Sequence, residues 1–168
     1  MNKTAIRKFA EWAREKLIED IKYKAGTVGI TENGIVEKLP QSTNDLHFYD
    51  IGTKDYSEIS GVEIKQREAL AKAIQTRERS YKKYQEAFEN VIEEVAYTWF
   101  NRLIAIRFME VNDYLPSGVR VLSSENKAKK EPDLVTMPFD TDLEFTSYEQ
   151  DRIIQLKDDN KLDELFRM

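Results

Sequence analysis

The 168-residue sequence is long enough for one domain with a sizeable core, and its 40% hydrophobic and 34% charged residues are typical of a globular protein in water. It contains no cysteine, which excludes a disulfide framework, a thiolate metal site and a cysteine nucleophile, and we therefore expect a cytoplasmic protein. The net charge of −5 is opposite in sign to that of most free-standing nucleic-acid binders, and no segment has the pattern of a secretory signal or a membrane-spanning helix.

The first predicted element is an amphipathic helix over residues 4–25. Its apolar residues recur at spacings of three and four, which places them on one face: Ile6, Phe9, Ala13, Leu17 and Ile21, widened by Trp12 and Ile18. Thr4 is the expected N-cap, and Gly26 is expected to end the helix.

Residues 27–59 are expected to form a long ordered loop. Five of the six glycines lie between positions 26 and 61, and Asn33-Gly34 is flanked by apolar residues, a pattern that allows one short hairpin. The stretch LHFYDIG at 46–52 is interpreted as loop held in place by its aromatic residues. A loop of this length inside a compact domain is unusual and indicates a packing or functional role.

The next predicted region is helical. Ser60-Gly61-Val62-Glu63 has the pattern of a capping box, and no proline or glycine follows until Pro116. A break near Arg79-Ser80 leaves two alternatives, one bent helix or two helices in sequence. In both cases we expect a mainly α fold, a helical bundle around a long central helix at about 81–113.

The segment AYTWFNRLIAIRFMEVNDYLP at 96–116 mixes apolar and charged residues within this central helix. Six apolar residues between Phe88 and Ile106 fall within roughly 80° of one another on a helical wheel. A second stripe lies on about the opposite side: Tyr97, Ile104, Phe108 and Val111. We therefore expect the helix to be packed from both sides, with Arg102 and Arg107 at the seams and Arg107 paired with Glu110. These arginines either cover apolar surface or are presented to a phosphate or an acidic partner, and the first interpretation is favoured.

The C-terminal third is predicted to be less regular. VRVL at 119–122 is a short strand candidate, and a polar, proline-containing loop or arm follows it. Ser147-Tyr148-Glu149-Gln150 resembles a capping box that leads into a helix containing Ile153 and Leu156. A last amphipathic helix begins in KLDELFRM and stops while still apolar at Leu162, Leu165, Phe166 and Met168. We expect a single helical domain over 1–168 that is a piece of a longer protein.

The best candidate for nucleic-acid contact is the basic stretch 63–83, which contains seven Lys or Arg against three Glu. If its helix is continuous, Lys65, Lys72, Arg79 and Lys83 line one edge that could follow a phosphate backbone. The alternative is a solvated helix face without a ligand. The full set of DNA-binding candidates is Lys65, Lys72, Arg79, Lys82, Lys83, Arg102 and Arg107, with Lys127, Lys129 and Lys130 as further candidates.

No catalytic motif is complete. Glu63-Ile64-Lys65 matches the E-x-K half of a nuclease signature, but it opens a predicted helix, and Pro132-Asp133 follows it instead of preceding it. His47 is the single histidine, so a multi-histidine metal site is excluded, and we interpret it as a packed loop residue. Glycine motifs for dinucleotides or methyl donors, a Walker lysine motif and a Pro-Pro-Tyr motif are all missing. The chain alone is expected to catalyse nothing and to bind no cofactor or metal.

Four stretches of the sequence resemble the N-terminal region of the PglX-type adenine-specific DNA methyltransferases of BREX (bacteriophage exclusion) defence systems. They are MNKTAIRKFAEWAREKLIEDIKYKAG, LPQSTNDLHFYDIG, FENVIEEVAYTWFNRLIAIRFMEVNDYLPSGVRVLSSE and EPDLVT. The resemblance implies a longer enzyme that transfers methyl from S-adenosylmethionine to adenine N6 in a non-palindromic site, marking host DNA while the wider system restricts phage. The family's methyl-donor and Pro-Pro-Tyr motifs lie downstream, so it assigns no catalytic residue here.

By the same resemblance, the expected partners are the remainder of the methyltransferase chain, duplex DNA and other BREX proteins, with no membrane. A base-flipping enzyme needs groups that hold the duplex around the extruded adenine, and a helical domain could help to clamp it or scaffold the methyltransferase core. The alternative is a protein-interaction or structural module that makes no DNA contact.

Overall fold

The computed structural model of the chain describes residues 2–167 apart from the side chains at 163, 166 and 167. Its contacts divide it into two compact units, residues 1–100 and residues 101–168. The elements in chain order are α1 Lys3–Thr27, β1 Ile30–Thr31, β2 Gly34–Ile35, β3 Leu46–Tyr49, β4 Ser57–Ser60, α2 Val62–Tyr81, α3 Tyr84–Val111, α4 Asp133–Thr136, a 3-10 turn Pro138–Asp140, α5 Ser147–Asp158 and α6 Leu162–Arg167. The prediction of a mainly helical fold is confirmed, whereas the single domain stays a prediction.

Helix α1 is longer at both ends than the sequence predicts. Asn2 caps its first turn in place of Thr4, because the Asn2 side-chain oxygen accepts a hydrogen bond from the Ala5 N–H at 3.1 Å. The helix also continues through Gly26 to Thr27, and Gly29, with φ at +74°, takes the left-handed conformation that reverses the chain. The predicted caps were therefore wrong, although the helix itself is confirmed.

The region predicted as a loop contains two antiparallel hairpins. The first hairpin is confirmed, but its turn is Glu32-Asn33 and not Asn33-Gly34, because Gly34 already pairs with Thr31. The Thr31 hydroxyl accepts a hydrogen bond from the Asn33 N–H at 3.3 Å. The second was missed: β3 pairs with β4, with His47 opposite Ile59. Its strands alternate in burial, and the partner strand SEIS has one large apolar residue, so periodicity alone gave little signal.

The first unit has its core where α1, α2 and the first half of α3 meet. Seven buried residues form this cluster: Ala25, Ile30, Ile74, Ala87, Phe88, Val91 and Ile92. The capping box predicted at Ser60 does not form, because Ser60 pairs with Leu46 in the second hairpin and Gly61 becomes the N-cap. Of the two alternatives for the long helical region, two helices are observed, because α2 ends at Tyr81 and Lys82 is left-handed with φ at 59°.

The two apolar stripes predicted on α3 differ in burial. On the first, Phe88 and Ile92 are fully enclosed, whereas Trp99 is 47% exposed. The second stripe is exposed instead of packed: Tyr97 69%, Ile104 44%, Phe108 59% and Val111 48%. The prediction of a helix packed from both sides is therefore wrong along this stripe, and the stripe remains an apolar surface.

The second unit combines a small core with two buried carboxylates. Val135, Ile153, Leu156 and Leu165 form its apolar cluster. Residues 119–122 form no strand, because two of their backbone N–H groups bind the Glu110 carboxylate. The α5 cap is Thr146, one residue before the predicted Ser147, and with Glu149 it forms the capping box. The Phe166 side chain and Met168 lie outside the described residues.

Candidate nucleic-acid interface

Helix α2 holds three of the predicted DNA-binding residues on one exposed face. Lys65, Lys72 and Arg79 are seven residues apart, which is two helical turns, so they lie above one another. At a rise of about 1.5 Å per residue, they span about 21 Å. All three are exposed, and within the described residues none of them has an ion-pair partner. The opposite side of the helix is fixed by burial of Arg67 and Ile74.

The two lysines after α2 are placed differently from each other. Lys82 is the left-handed C-cap of α2 and is exposed, three residues after Arg79. Lys83 lies beyond the end of α2 and pairs with Glu86 at 3.0 Å. The edge that a continuous helix would carry from Lys65 to Lys83 is thus interrupted before Lys83. We call Lys65, Lys72, Arg79 and Lys82 the α2 basic face.

Two other cations of the 63–83 stretch have structural roles. Arg67 is buried. It donates a hydrogen bond from Nε to the Val28 carbonyl at 2.7 Å and another from Nη2 to the Val36 carbonyl at 2.5 Å. Its guanidinium lies 3.7 Å from the ring centre of Tyr49, and burial lowers its pKa. Arg77 donates to Asn90 and Glu94 on α3. The positive charge available to a ligand is therefore smaller than the sequence count indicates, and it is concentrated on one face.

Arg102 and Arg107 both lie on α3 and are exposed. Arg107 donates to the buried Glu110 and to the Ser123 hydroxyl, so its predicted pairing with Glu110 is confirmed. Burial alone would raise the pKa of Glu110, but hydrogen bonds from the Leu122 N–H, Arg107 and Ser123 outweigh it and hold that pKa below its ordinary value. Arg107 therefore serves first as the counter-charge of a buried carboxylate.

Lys127, Lys129 and Lys130 are exposed on the loop before α4. A cavity of about 420 Å³ lies in the same unit, with Arg120 and Lys129 in its wall. Five carboxylates also line it: Glu110, Asp113, Glu125, Asp133 and Asp140. This excess of acidic groups disfavours a phosphate there, so the loop lysines are weaker candidates than the α2 basic face.

Sequence patterns did not reveal that Glu110 and Asp133 are buried and organise the second unit. Asp133 is 3% exposed and accepts from the Glu125 N–H at 2.8 Å. Burial would raise its pKa, but hydrogen bonds from Ser124 and Glu125 and the nearby Lys129 and Arg120 lower it. The backbone groups that these carboxylates bind are distant in sequence, so a sequence pattern does not identify them. The one sequence signal for a buried carboxylate was at Glu110, an acidic residue within an otherwise apolar helical segment.

The other predicted motifs have structural positions. Glu63-Ile64-Lys65 lies in the first turn of α2, which confirms the prediction that this motif opens a helix and does not lie on a strand. His47 is buried on β3, 3.0 Å from the Tyr49 hydroxyl, so its packing is confirmed, but it lies in a strand instead of a loop. Among the described side chains, no cluster of three or more potential ligands could hold a metal ion. None of the described helices is both long and apolar enough to cross a membrane.

The chain is similar to curated adenine-specific methyltransferases. PglX of Lacticaseibacillus casei (strain Zhang) is 48% identical over 151 residues, which cover 90% of this chain and 12% of the relative. BrxX of Escherichia coli O9:H4 (strain HS) is 34% identical over 124 residues, which cover 73% of this chain and 9% of the relative. No protein-family model and no solved structure matches the chain. The predicted resemblance to PglX is confirmed, and the chain spans only a small part of the length of these relatives.

Proposed function

We propose that this chain is the N-terminal helical module of a PglX-type methyltransferase that transfers methyl from S-adenosylmethionine to adenine N6 in DNA, as part of a BREX phage-defence system. The observation that carries the proposal is 48% identity to PglX across 90% of the chain. The chain lacks the methyl-donor glycine pattern and the Pro-Pro-Tyr motif, so cofactor binding and methyl transfer belong to the remaining part of such an enzyme. Its own role is to support that part.

Within this enzyme, the module contacts the DNA backbone through the α2 basic face. Three properties support this role: the four cations are exposed, none has an acidic partner within the described residues, and those on α2 are evenly spaced along about 21 Å. At 3.4 Å per base pair, that length corresponds to about six base pairs. Neighbouring cations on α2 are therefore about three base pairs apart, a spacing at which they can reach separate phosphates along the duplex and hold it while an adenine is extruded.

Binding of this kind has a defined salt dependence. Four phosphate contacts give a log–log slope of about −3 to −4 for affinity against salt concentration, because each contact releases about 0.9 counterion. The variant Lys65→Glu/Lys72→Glu/Arg79→Glu should reduce the slope by about 3 and weaken binding most at low salt. The measurement is fluorescence anisotropy of labelled duplex DNA with the 168-residue chain between 50 and 200 mM salt.

A matched control separates local contact from net charge. Lys8→Glu/Lys38→Glu/Lys54→Glu changes three exposed lysines outside α2 and lowers the net charge equally. It should leave most of the affinity and the slope intact. Equal losses in both triple variants, or no binding by the unmodified chain at 50 mM salt, would contradict the DNA-contact role.

The second candidate function is a protein-interaction or structural module without DNA contact. It is favoured by the net charge of −5 and by the apolar stripe exposed on α3. Replacing the matched stretch of Lacticaseibacillus casei PglX by this chain distinguishes the two functions. A purely structural module predicts that the α2 triple variant of this joined protein methylates DNA as fast as the unmodified one, whereas the DNA-contact role predicts a loss of methylation that is largest at low salt and shrinks as the salt concentration rises.

A further inference from the structure

The C-terminal part of α3 and the turn after it present a continuous apolar surface within the second unit. Ile104, Phe108 and Val111 have the spacing i, i+4 and i+7, so they lie on one side of the helix. Tyr114 follows them in the turn. Their exposed fractions are 44%, 59%, 48% and 64%, values unusual for neighbouring large apolar side chains. We call these four residues the α3 apolar face.

The end of α3 fixes the position of Tyr114. Asp113 is left-handed with φ at 55°, and the Tyr114 N–H donates to the Met109 carbonyl at 2.8 Å, the six-residue hydrogen bond of a Schellman motif. The reversal brings the Tyr114 ring to 6.2 Å from the Phe108 ring in an edge-to-face arrangement. The face therefore includes a defined aromatic pair.

The opposite side of this helix end is held firmly. Glu110 is 2% exposed and accepts hydrogen bonds from the Val121 N–H at 3.0 Å, the Leu122 N–H at 2.8 Å and the Ser123 hydroxyl at 2.9 Å. A helix anchored through a buried carboxylate cannot rotate to hide its apolar side without breaking these bonds. The exposure of Phe108 and Val111 is thus a property of the packed unit.

The area of the face limits what can cover it. With side-chain areas on the order of 150–250 Å² for the aromatic residues and somewhat less for the others, the exposed part sums to roughly 400 Å². A stable dimer of separate copies buries about 800 Å² on each partner, so this face alone is too small for one. A covalently joined partner needs less area, because the connection supplies a high effective concentration.

We propose that the α3 apolar face docks into an apolar pocket of the methyltransferase part of the same polypeptide. Each PglX-type relative extends far beyond the stretch matched here, which is 12% or 9% of its length, and so contains the joined partner that the area argument requires. The proposal presupposes that the chain belongs to a PglX-type enzyme, but it does not depend on DNA contact by the α2 basic face. Phe108 and Tyr114 are the expected anchors, since aromatic side chains dominate the centres of interfaces.

The test is hydroxyl-radical footprinting of the 168-residue chain alone and of the joined protein in which it replaces the matched stretch of Lacticaseibacillus casei PglX. Labelling of Phe108 and Tyr114 should fall about fivefold or more in the joined protein, because side chains in the centre of an interface lose most of their exposed area. Tyr148 on α5, which is 78% exposed, is the control and should be labelled equally in both. Low labelling of Ile153 and Leu156, which are 2% exposed in the core of the second unit, reports that this unit is folded in each sample.

A substitution supplies a second measurement. Phe108→Ser should restore Tyr114 labelling in the joined protein, whereas Tyr148→Ser should not. The isolated Phe108→Ser chain should melt like the unmodified chain, since Phe108 is 59% exposed.

Three results would overturn the proposal. The first is equal labelling of Phe108 and Tyr114 with and without the methyltransferase part, and the second is protection of these residues only when duplex DNA is present. The third is protection that rises with concentration in the isolated chain, which would identify a second copy as the occupant. The DNA-contact role has a separate readout, because the α2 triple variant tests it through methylation: unchanged methylation with this footprint intact would refute DNA contact and leave the docking proposal standing.

Discussion

Replacement of Arg67 tests how the hairpin region is held to α2. Arg67 is 8% exposed, and its guanidinium donates to the carbonyl oxygens of Val28 and Val36 and stacks on Tyr49. These three partners lie in the segment between α1 and α2, which has little regular structure of its own. Arg67→Met keeps much of the apolar stem but removes every one of these polar contacts.

The expected loss of stability follows from those contacts. Each of the two carbonyls left without a donor costs about 1–3 kcal/mol, and the cation–π contact contributes about 1–2 kcal/mol. Relief of the buried charge, several kcal/mol, offsets part of this sum. We expect Arg67→Met to lower the free energy of unfolding of the first unit by about 3 kcal/mol.

The assay is urea unfolding followed by tryptophan fluorescence. Both tryptophans, Trp12 and Trp99, lie in the first unit, so the signal reports on the unit that contains Arg67. Arg79→Met is the matched control, since Arg79 is exposed on the same helix and should change stability by less than about 0.5 kcal/mol. A change for Arg67→Met as small as that of the control would refute the structural role of Arg67.

The remaining predictions concern the second unit. Glu110→Gln should destabilise it by about 3 kcal/mol and speed amide exchange at the two N–H groups that Glu110 binds, whereas Glu144→Gln, at an exposed position, should do neither. Folding lowers the pKa values of Glu110 and Asp133. The stability that these carboxylates contribute is therefore complete above the ordinary carboxyl pKa of about 4 and is lost as the pH falls through their pKa values in the folded protein. The melting temperature of Glu110→Gln should consequently decline less steeply below pH 4 than that of the unmodified chain. Thr146→Ala should lower the free energy of local opening of α5, measured by hydrogen exchange, by about 1 kcal/mol, and Ser147→Ala should lower it by less. The reverse order would show that Ser147 is the cap.

Helical periodicity predicted the parts of the fold that depend on neighbours along the chain. It located α1, α3 and α5 because three- and four-residue spacings of apolar residues persist over several turns. It failed at helix ends, where Asn2 and Thr146 act as caps one or two residues before the expected ones. Cap residues compete with similar polar neighbours, and the geometry that selects among them is set by tertiary packing.

The sequence alone could not separate structural from exposed cations. Arg67, Arg77 and Arg79 have the same side-chain chemistry within one helix, yet the first binds backbone carbonyls, the second bridges to α3 and the third is exposed. The difference depends on partners more than ten residues away. For the same reason, the wheel predicted two packed faces on α3, because it records which residues share a side but not whether another element covers that side.

The acidic total and the α2 basic face are compatible because they act over different distances. At physiological salt the Debye length is about 8 Å, so the net charge of −5 contributes weak repulsion, whereas the α2 cations act by direct contact with phosphates. Affinity lost on reversing Lys65, Lys72 and Arg79 should therefore be larger at 50 mM than at 200 mM salt, and a loss independent of salt would indicate a folding defect instead of lost phosphate contacts.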